Sequence, residues 1–199
     1  SIVADLEIKD EIKKDVVNTM QELKKMNINI HMFTGDTKEK ATEIAQQVGI
    51  DNINYSMLPS DKYTYLEEII KKKTEKSIVS FVGDGINDAP VLKLSDLGIS
   101  MGSLGTDSAI EASDVVIMND NLEKIVTAIN ISKKTNKIIK ENLIFALGVK
   151  LLVLVLTLIG LSTMLEAVFA DVGVTVLCIL NTLRLLKNNN SCNIRKSNI

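Results

Sequence analysis

Gly83-Asp84-Gly85-Ile86-Asn87-Asp88-Ala89-Pro90 is the stretch from which the rest of the chain can be read. It follows Ser77-Ile-Val-Ser-Phe-Val82, a short apolar run of the kind that forms a buried strand. In an open parallel sheet, ligands bind in the crevice beyond the carboxyl ends of the strands. Gly83 and Gly85 permit a sharp turn and leave room beside the backbone. Asp84 and Asp88 offer hard oxygen atoms of the kind Mg²⁺ takes together with phosphate oxygens and water. Pro90 suits the first turn of a following helix. A capped turn uses Gly, Asn and Asp too. All eight residues directly after an apolar strand point instead to a ligand loop.

Working outward, strand-like and helix-like stretches alternate through residues 1–118. Ile2-Val-Ala-Asp-Leu-Glu7 alternates apolar and polar residues, as a half-buried strand does. Ile12, Val16, Met20 and Leu23 recur at helical spacing. Residues 28–33 read as a second strand that ends in Thr34-Gly35-Asp36. Ala41, Ile44, Ala45 and Val48 line one face of the next helix, and Gly49 is placed to stop it. A short strand over residues 53–55 leads through Pro59 and Ser60 into a helix carrying Leu66, Ile69 and Ile70. Beyond the loop, residues 97–100 and 115–118 read as two further strands, and Asp120 with Glu123 resembles a capping box opening a helix. This order predicts an α/β fold, a partial doubly wound parallel sheet with helices on both faces.

If the strands that end at Thr34 and at Asp84 lie side by side, both residues face one crevice. A hydroxyl from Thr34, an ammonium from Lys62 and a metal ion held by carboxylates would together make a phosphate site. Taken singly, each has a simpler reading: Thr34 as a helix cap, Lys62 as one solvated lysine among many.

Composition narrows the function classes. The 199 residues are 46% hydrophobic with a formal net charge of −2, which gives no reason to expect a nucleic-acid partner. There is no Trp, so stacking platforms for bases are not indicated. Cys178 and Cys192 make neither a ligand pair nor a disulfide framework. His31, the one histidine, reads as structural. The chain opens on Ser1 and a strand-like pattern with no secretory signal, as a piece of something longer would.

Two long apolar stretches follow. Residues 143–164 are mostly Leu, Val and Ile, interrupted by Lys150; residues 167–186 are interrupted by Asp171. Each is long enough to span ~30 Å of hydrocarbon. Lys133, Lys134, Lys137 and Lys140 precede the first, and Arg184, Lys187, Arg195 and Lys196 cluster at or beyond the end of the second. The turn between has no basic residue, so the positive-inside rule puts both ends in the cytoplasm. With a turn near Gly160 or Leu161, Lys150 and Asp171 each lie about 15 Å deep. An ionised group there is costly enough to call for a partner or a pathway. The two could form an ion pair that only fixes packing, or Asp171 could offer a carboxylate to a transported cation with Lys150 as its partner otherwise.

The GDGINDAP loop, with Thr34-Gly35-Asp36, Pro59-Ser-Asp-Lys62, Met101-Gly102 and Ala109-Ile-Glu-Ala-Ser-Asp-Val-Val116, resembles the phosphorylation domain of P-type ATPases, a haloacid-dehalogenase-like domain. The resemblance covers nearly all of residues 1–186. It implies that Asp84 ligates Mg²⁺ and Asp88 supports the metal site. It also implies that Thr34, Lys62 and Asn87 hold an aspartyl phosphate, that Asp36 lies near the incoming nucleotide phosphates, and that Gly35 between them belongs to the catalytic set. Asn142-Leu-Ile-Phe-Ala-Leu-Gly-Val-Lys150, Ala167-Val-Phe-Ala-Asp171-Val-Gly173 and Asn181-Thr-Leu-Arg-Leu-Leu186 look like the last two helices of heavy-metal members, in the branch that exports Zn²⁺, Cd²⁺ and Pb²⁺. That resemblance implies ATP as substrate, a transported cation at Asp171, and a place in the cell membrane beside the actuator, nucleotide-binding and earlier transmembrane segments. The family's Asp-Lys-Thr-Gly-Thr nucleophile motif and the branch's Cys-Pro-Cys ligands do not occur in these residues.

The expected organisation is part of the phosphorylation domain over 1–121, a connecting helix over 122–141, a transmembrane hairpin over 142–187 and a disordered polar tail over 188–199. Two alternatives remain open. One is a membrane-tethered phosphatase of the same superfamily using Asp5 as nucleophile. The other is a non-catalytic remnant or partner subunit of a longer ATPase.

Overall fold

A computed structural model describes residues 12–84, 88–101, 111–119, 121–161 and 164–189. The strand expected over residues 2–7 and the polar tail from residue 190 lie outside these. The chain forms two compact units, Ser1–Val126 and Thr127–Ile199.

The first unit begins with α1 (Lys14–Lys25), which buries Thr19 and Leu23 on one face. The Thr19 hydroxyl donates back to the Asp15 carbonyl, so its burial leaves no unpaired polar group. β1 (His31–Phe33) and α2 (Lys38–Val48) follow. Ala41, Ala45 and Val48 are the buried face of α2, as their spacing predicts. Gly49 ends the helix at φ 77°, a conformation that costs glycine little. β2 (Asn52–Asn54) pairs parallel with β1, His31 against Asn52. α3 (Pro59–Lys72) starts on Pro59, and the Asp61 carboxylate accepts from the Leu58 N–H at 2.9 Å. That contact satisfies one of the donors that every helix N-terminus leaves free.

β3 (Ser80–Gly83), α4 (Ala89–Leu94), β4 (Leu97–Met101) and β5 (Val115–Ile117) complete the unit. β4 lies between β3 and β5, and both pairings are parallel. Leu66, Phe81, Val91 and Leu92 form the core between sheet and helices, with Phe33, Ile70, Val79 and Leu94 against it. Gly98 lets β4 pass close under α4: a Cβ there would lie 2.7 Å from the Leu92 carbonyl oxygen.

The parallel α/β order is as expected, but the described strands form two sheets, β1–β2 and β3–β4–β5. β1 and β3 are therefore not hydrogen-bonded neighbours, contrary to the condition set out for Thr34 and Asp84. Side chains still link the edges, with Phe33 and Phe81 ring centroids 6.3 Å apart. Backbone pairing needs strands ~4.8 Å apart, whereas ring contacts reach across a wider space.

The second unit is a helical hairpin. α5 (Glu123–Leu158) runs unbroken through the connecting segment and into the first apolar stretch as far as Leu158. The Asn121 side chain accepts from the Glu123 N–H at 2.8 Å and caps its start; Asp120, half of the expected capping box, lies outside the described residues. Gly160 turns the chain at φ 77°. α6 (Met164–Thr182) and α7 (Arg184–Asn189) follow. Asn188 and Asn189 thus belong to a helix and not to the tail. Both long helices are apolar enough to cross a membrane, and none of their apolar windows is buried.

Candidate functional site

The site in the first unit is assembled from three segments that follow strand ends. Thr34 comes directly after β1, and its N–H donates to the Asn54 carbonyl at 3.0 Å. Its hydroxyl donates to Asp36 Oδ2 at 3.0 Å and accepts from the Asp36 N–H at 3.1 Å. The hydroxyl is therefore used inside the turn and caps no helix. Two backbone bonds tie this turn to the entry of α3: the Met57 N–H donates to the Thr34 carbonyl at 3.0 Å and the Ser56 N–H to the Asp36 carbonyl at 2.8 Å. Gly35 lies against the same entry, where a Cβ would stand 3.4 Å from the Met57 carbonyl oxygen.

From the first turn of α3, Lys62 Nζ reaches Asp88 Oδ1 at 3.0 Å. The two side chains keep only 18% and 11% of their surface exposed, so Lys62 is no solvated lysine. A charge pair withdrawn this far from water is held by geometry, because desolvation offsets much of its attraction. Asp88 stands just before α4, where its carbonyl accepts from the Val91 and Leu92 N–H groups. Its other carboxylate oxygen would lie 3.0 Å from a Cβ at Gly83, which makes Gly83 a close-approach position. Asp84 follows directly at the end of β3. Asn87, expected to contact phosphate, lies outside the described residues with Gly85 and Ile86.

The pairing of Lys62 with Asp88 is the feature that sequence reading missed. It gives the two residues separate partners, phosphate and metal; the fold gives them each other. No local signal announces a contact between positions 26 residues apart.

The donor set suits Mg²⁺. Among the described residues no three His, Cys, Asp or Glu side chains converge into a full ligand cage. Mg²⁺ needs none: one or two carboxylates suffice, with water and phosphate oxygens in the remaining positions. Asp84 and Asp88 supply that number.

In the hairpin, Lys150 and Asp171 are both exposed, and no ion pair joins them. The ion pair, one of the two readings of these residues, is not formed: two helices alone give no enclosure that would press the side chains together. The Asp171 carbonyl accepts from the Thr175 hydroxyl at 2.9 Å.

These features can be set beside known proteins. Residues 1–96 match the family model of haloacid dehalogenase-like hydrolases. The chain is 46% identical over 181 residues to a zinc-transporting ATPase of Synechocystis sp., covering 90% of this chain and 25% of that protein. It is 44% identical over 184 residues to a cadmium, zinc and cobalt-transporting ATPase of Bacillus subtilis, covering 92% of this chain and 26% of that one. Among solved structures, a zinc-transporting PIB-type ATPase in its E2.Pi state superposes with a TM-score of 0.80 at 35% identity, over 89% of this chain and 28% of that one. Over about nine-tenths of its length the chain is homologous to zinc- and cadmium-transporting P-type ATPases. It spans about a quarter of the length of the relatives it matches. The match runs through both the soluble unit and the hairpin, as the resemblance of the motifs implies. A separate phosphatase is not favoured.

Proposed function

We propose that these residues are part of an ATP-driven exporter of Zn²⁺, Cd²⁺ or Pb²⁺ in the cell membrane, with both ends of the hairpin in the cytoplasm. The observation that carries this reading is the half-built phosphate pocket. Thr34, Asp36, Lys62 and Asp88 are tied together at strand ends, yet no Asp-Lys-Thr-Gly-Thr sequence occurs in the chain. The phosphoryl group would be carried by an Asp elsewhere in the complete protein. Among the described residues, no strand pairs with the facing edges of β1 and β3, and a strand bearing that Asp fits such a place.

Lys62 would meet the phosphoryl oxygens with its charge and Thr34 with its hydroxyl, each released from its present carboxylate partner. Asn87 would add an amide donor, and Asp36 would lie beside the nucleotide phosphates. Asp84 and Asp88 would hold Mg²⁺, whose chemistry there is to neutralise phosphate charge. In the membrane, Asp171 would offer its carboxylate to the transported cation and Lys150 would balance it when the cation leaves. The actuator, nucleotide-binding and earlier transmembrane segments would be partners in the same assembly.

The test is metal-stimulated ATP hydrolysis by the complete protein in membranes. Asp84→Ala is expected to lower it by at least ~100-fold, the scale of losing one preorganised charge at a reacting phosphate. Asp171→Ala is expected to remove the metal stimulation. Wild-type rates in both variants would sink the proposal.

A further inference from the structure

Apolar side chains give two membrane helices little reason to choose one register, since lipid tails are as apolar as Leu or Val. Polar contacts can choose. Those between described residues of α5 and α6 gather at one end. Asn142 on α5 donates through Nδ2 to the Cys178 carbonyl at 3.2 Å and to the Thr182 hydroxyl at 3.1 Å. Its Oδ1 accepts from Asn181 Nδ2 at 2.8 Å. Asn181 Oδ1 in turn accepts from the Arg184 guanidinium at 2.9 Å, and Arg184 stands 3.9 Å from Glu141. Asn142 thus uses three of its four hydrogen-bonding positions on α6. Slipping by one turn, ~5.4 Å, would break all three.

The clasp has a consequence further into the apolar stretch. In an antiparallel pair, each step along one helix is matched by a step back on the other. Seven residues on from Asn142 is Val149, and seven back from Cys178 is Asp171. Lys150 comes next after Val149. The half-buried positions agree, with Asn142, Ala146, Val149 and Val153 on α5 and Ala170, Val174, Cys178 and Asn181 on α6. Lys150 and Asp171 are therefore set at one depth although no ion pair joins them.

We propose that Asn142 and Asn181 are positioning residues that set the register of the hairpin and so hold Lys150 and Asp171 level. The inference rests on the transport reading for its purpose, though not for its geometry.

The register can be read by cross-linking in the complete membrane protein. By the same count, position 146 is level with Val174 in this register and with Cys178 after a slip of one turn. Disulfide yield is compared for Ala146→Cys with Val174→Cys, in a Cys178→Ala background, and for Ala146→Cys with native Cys178. Linked peptides are identified by mass spectrometry. With the clasp intact the 146–174 product dominates. Asn142→Asp and Asn181→Asp keep size but lose the donated bonds, and each is expected to lower the 146–174 to 146–178 ratio at least threefold. Being a ratio, it does not depend on how much protein inserts. The same variants should raise the Zn²⁺ concentration needed for half-maximal ATP hydrolysis at least threefold. An unchanged ratio in both variants overturns the proposal whatever the metal dependence does. Failure of the transport reading alone would leave the ratio as predicted and show no metal stimulation in any variant.

Discussion

The two units treat their ionisable groups in opposite ways. In the soluble unit, Lys62 and Asp88 are largely withdrawn from water and meet each other at 3.0 Å. In the hairpin, Lys150 and Asp171 stand exposed with no ion pair between them. The soluble fold builds its own enclosure, because α3, α4 and β3 all pack on one core around Leu66, Phe81, Val91 and Leu92. Two helices cannot enclose anything, and their apolar residues, such as Leu151, Phe169 and Val172, remain open. Charged side chains at strand ends can thus be enclosed by a local fold, whereas those on a two-helix hairpin stay open.

The sharpest way to break that contrast is to remove one member of each pair. Asp88→Ala leaves the Lys62 charge without its partner and should destabilise the soluble unit by about 3–5 kcal/mol in urea unfolding. Asp171→Ala, on the hairpin and outside that unit, should leave the same transition within ~0.5 kcal/mol of wild type. A cost below ~1 kcal/mol for Asp88→Ala would mean that the soluble pair is not held by burial. A smaller effect is expected where packing, not charge, closes the soluble unit. Gly98→Val places carbon atoms against the Leu92 carbonyl oxygen and should cost about 1–3 kcal/mol. A neutral Gly98→Val would show that α4 and β4 can separate without loss.

Within the soluble unit, the smallest expected effect tests a surface pair. Asp96 bonds Lys73 and also accepts from the Val79 N–H at 2.8 Å, at the start of β3. The bond from Lys73, then that from Val79, hold its carboxyl below the ordinary carboxylate range. A carboxyl lowered in the folded state contributes stability above its unfolded value, near pH ~4, and loses it as pH falls through the folded value. Asp96→Ala should therefore cost about 1 kcal/mol near neutrality. Below about pH 4 the difference between wild type and variant should shrink. A difference that stays constant from pH 7 to 2 would assign the effect to packing.

Much of this was legible because the governing interactions are local. The Ala41, Ala45 and Val48 face, the Gly49 stop and the Pro59 start follow from helix periodicity and capping over a few residues. The apolar strand before Asp84 and the glycine at Gly83 mark the site in the same way. What could not be read depends on distant segments meeting. The Lys62–Asp88 pair, the break between the two sheets, and the clasp from Asn142 to Asn181 across 39 positions are all of this kind. Asn142 carried one faint signal, an amide at the mouth of an otherwise apolar run. Helical order through Asn189 was missed because an Asn-rich composition reads as a tail, while the hydrogen bond from the Leu186 N–H to the Leu183 carbonyl keeps the chain turning.

The most direct measurement is the transfer of the γ-phosphate of labelled ATP to the complete protein in the presence of Zn²⁺, for wild type, Lys62→Ala and Asp84→Ala. A pocket that receives an aspartyl phosphate from elsewhere in the protein predicts labelled wild type, with the label released by hydroxylamine as an acyl phosphate is. It predicts label reduced at least ~100-fold in Asp84→Ala and clearly lowered in Lys62→Ala. Undiminished label in both variants would contradict the placement of the phosphoryl group between Lys62 and Asp84.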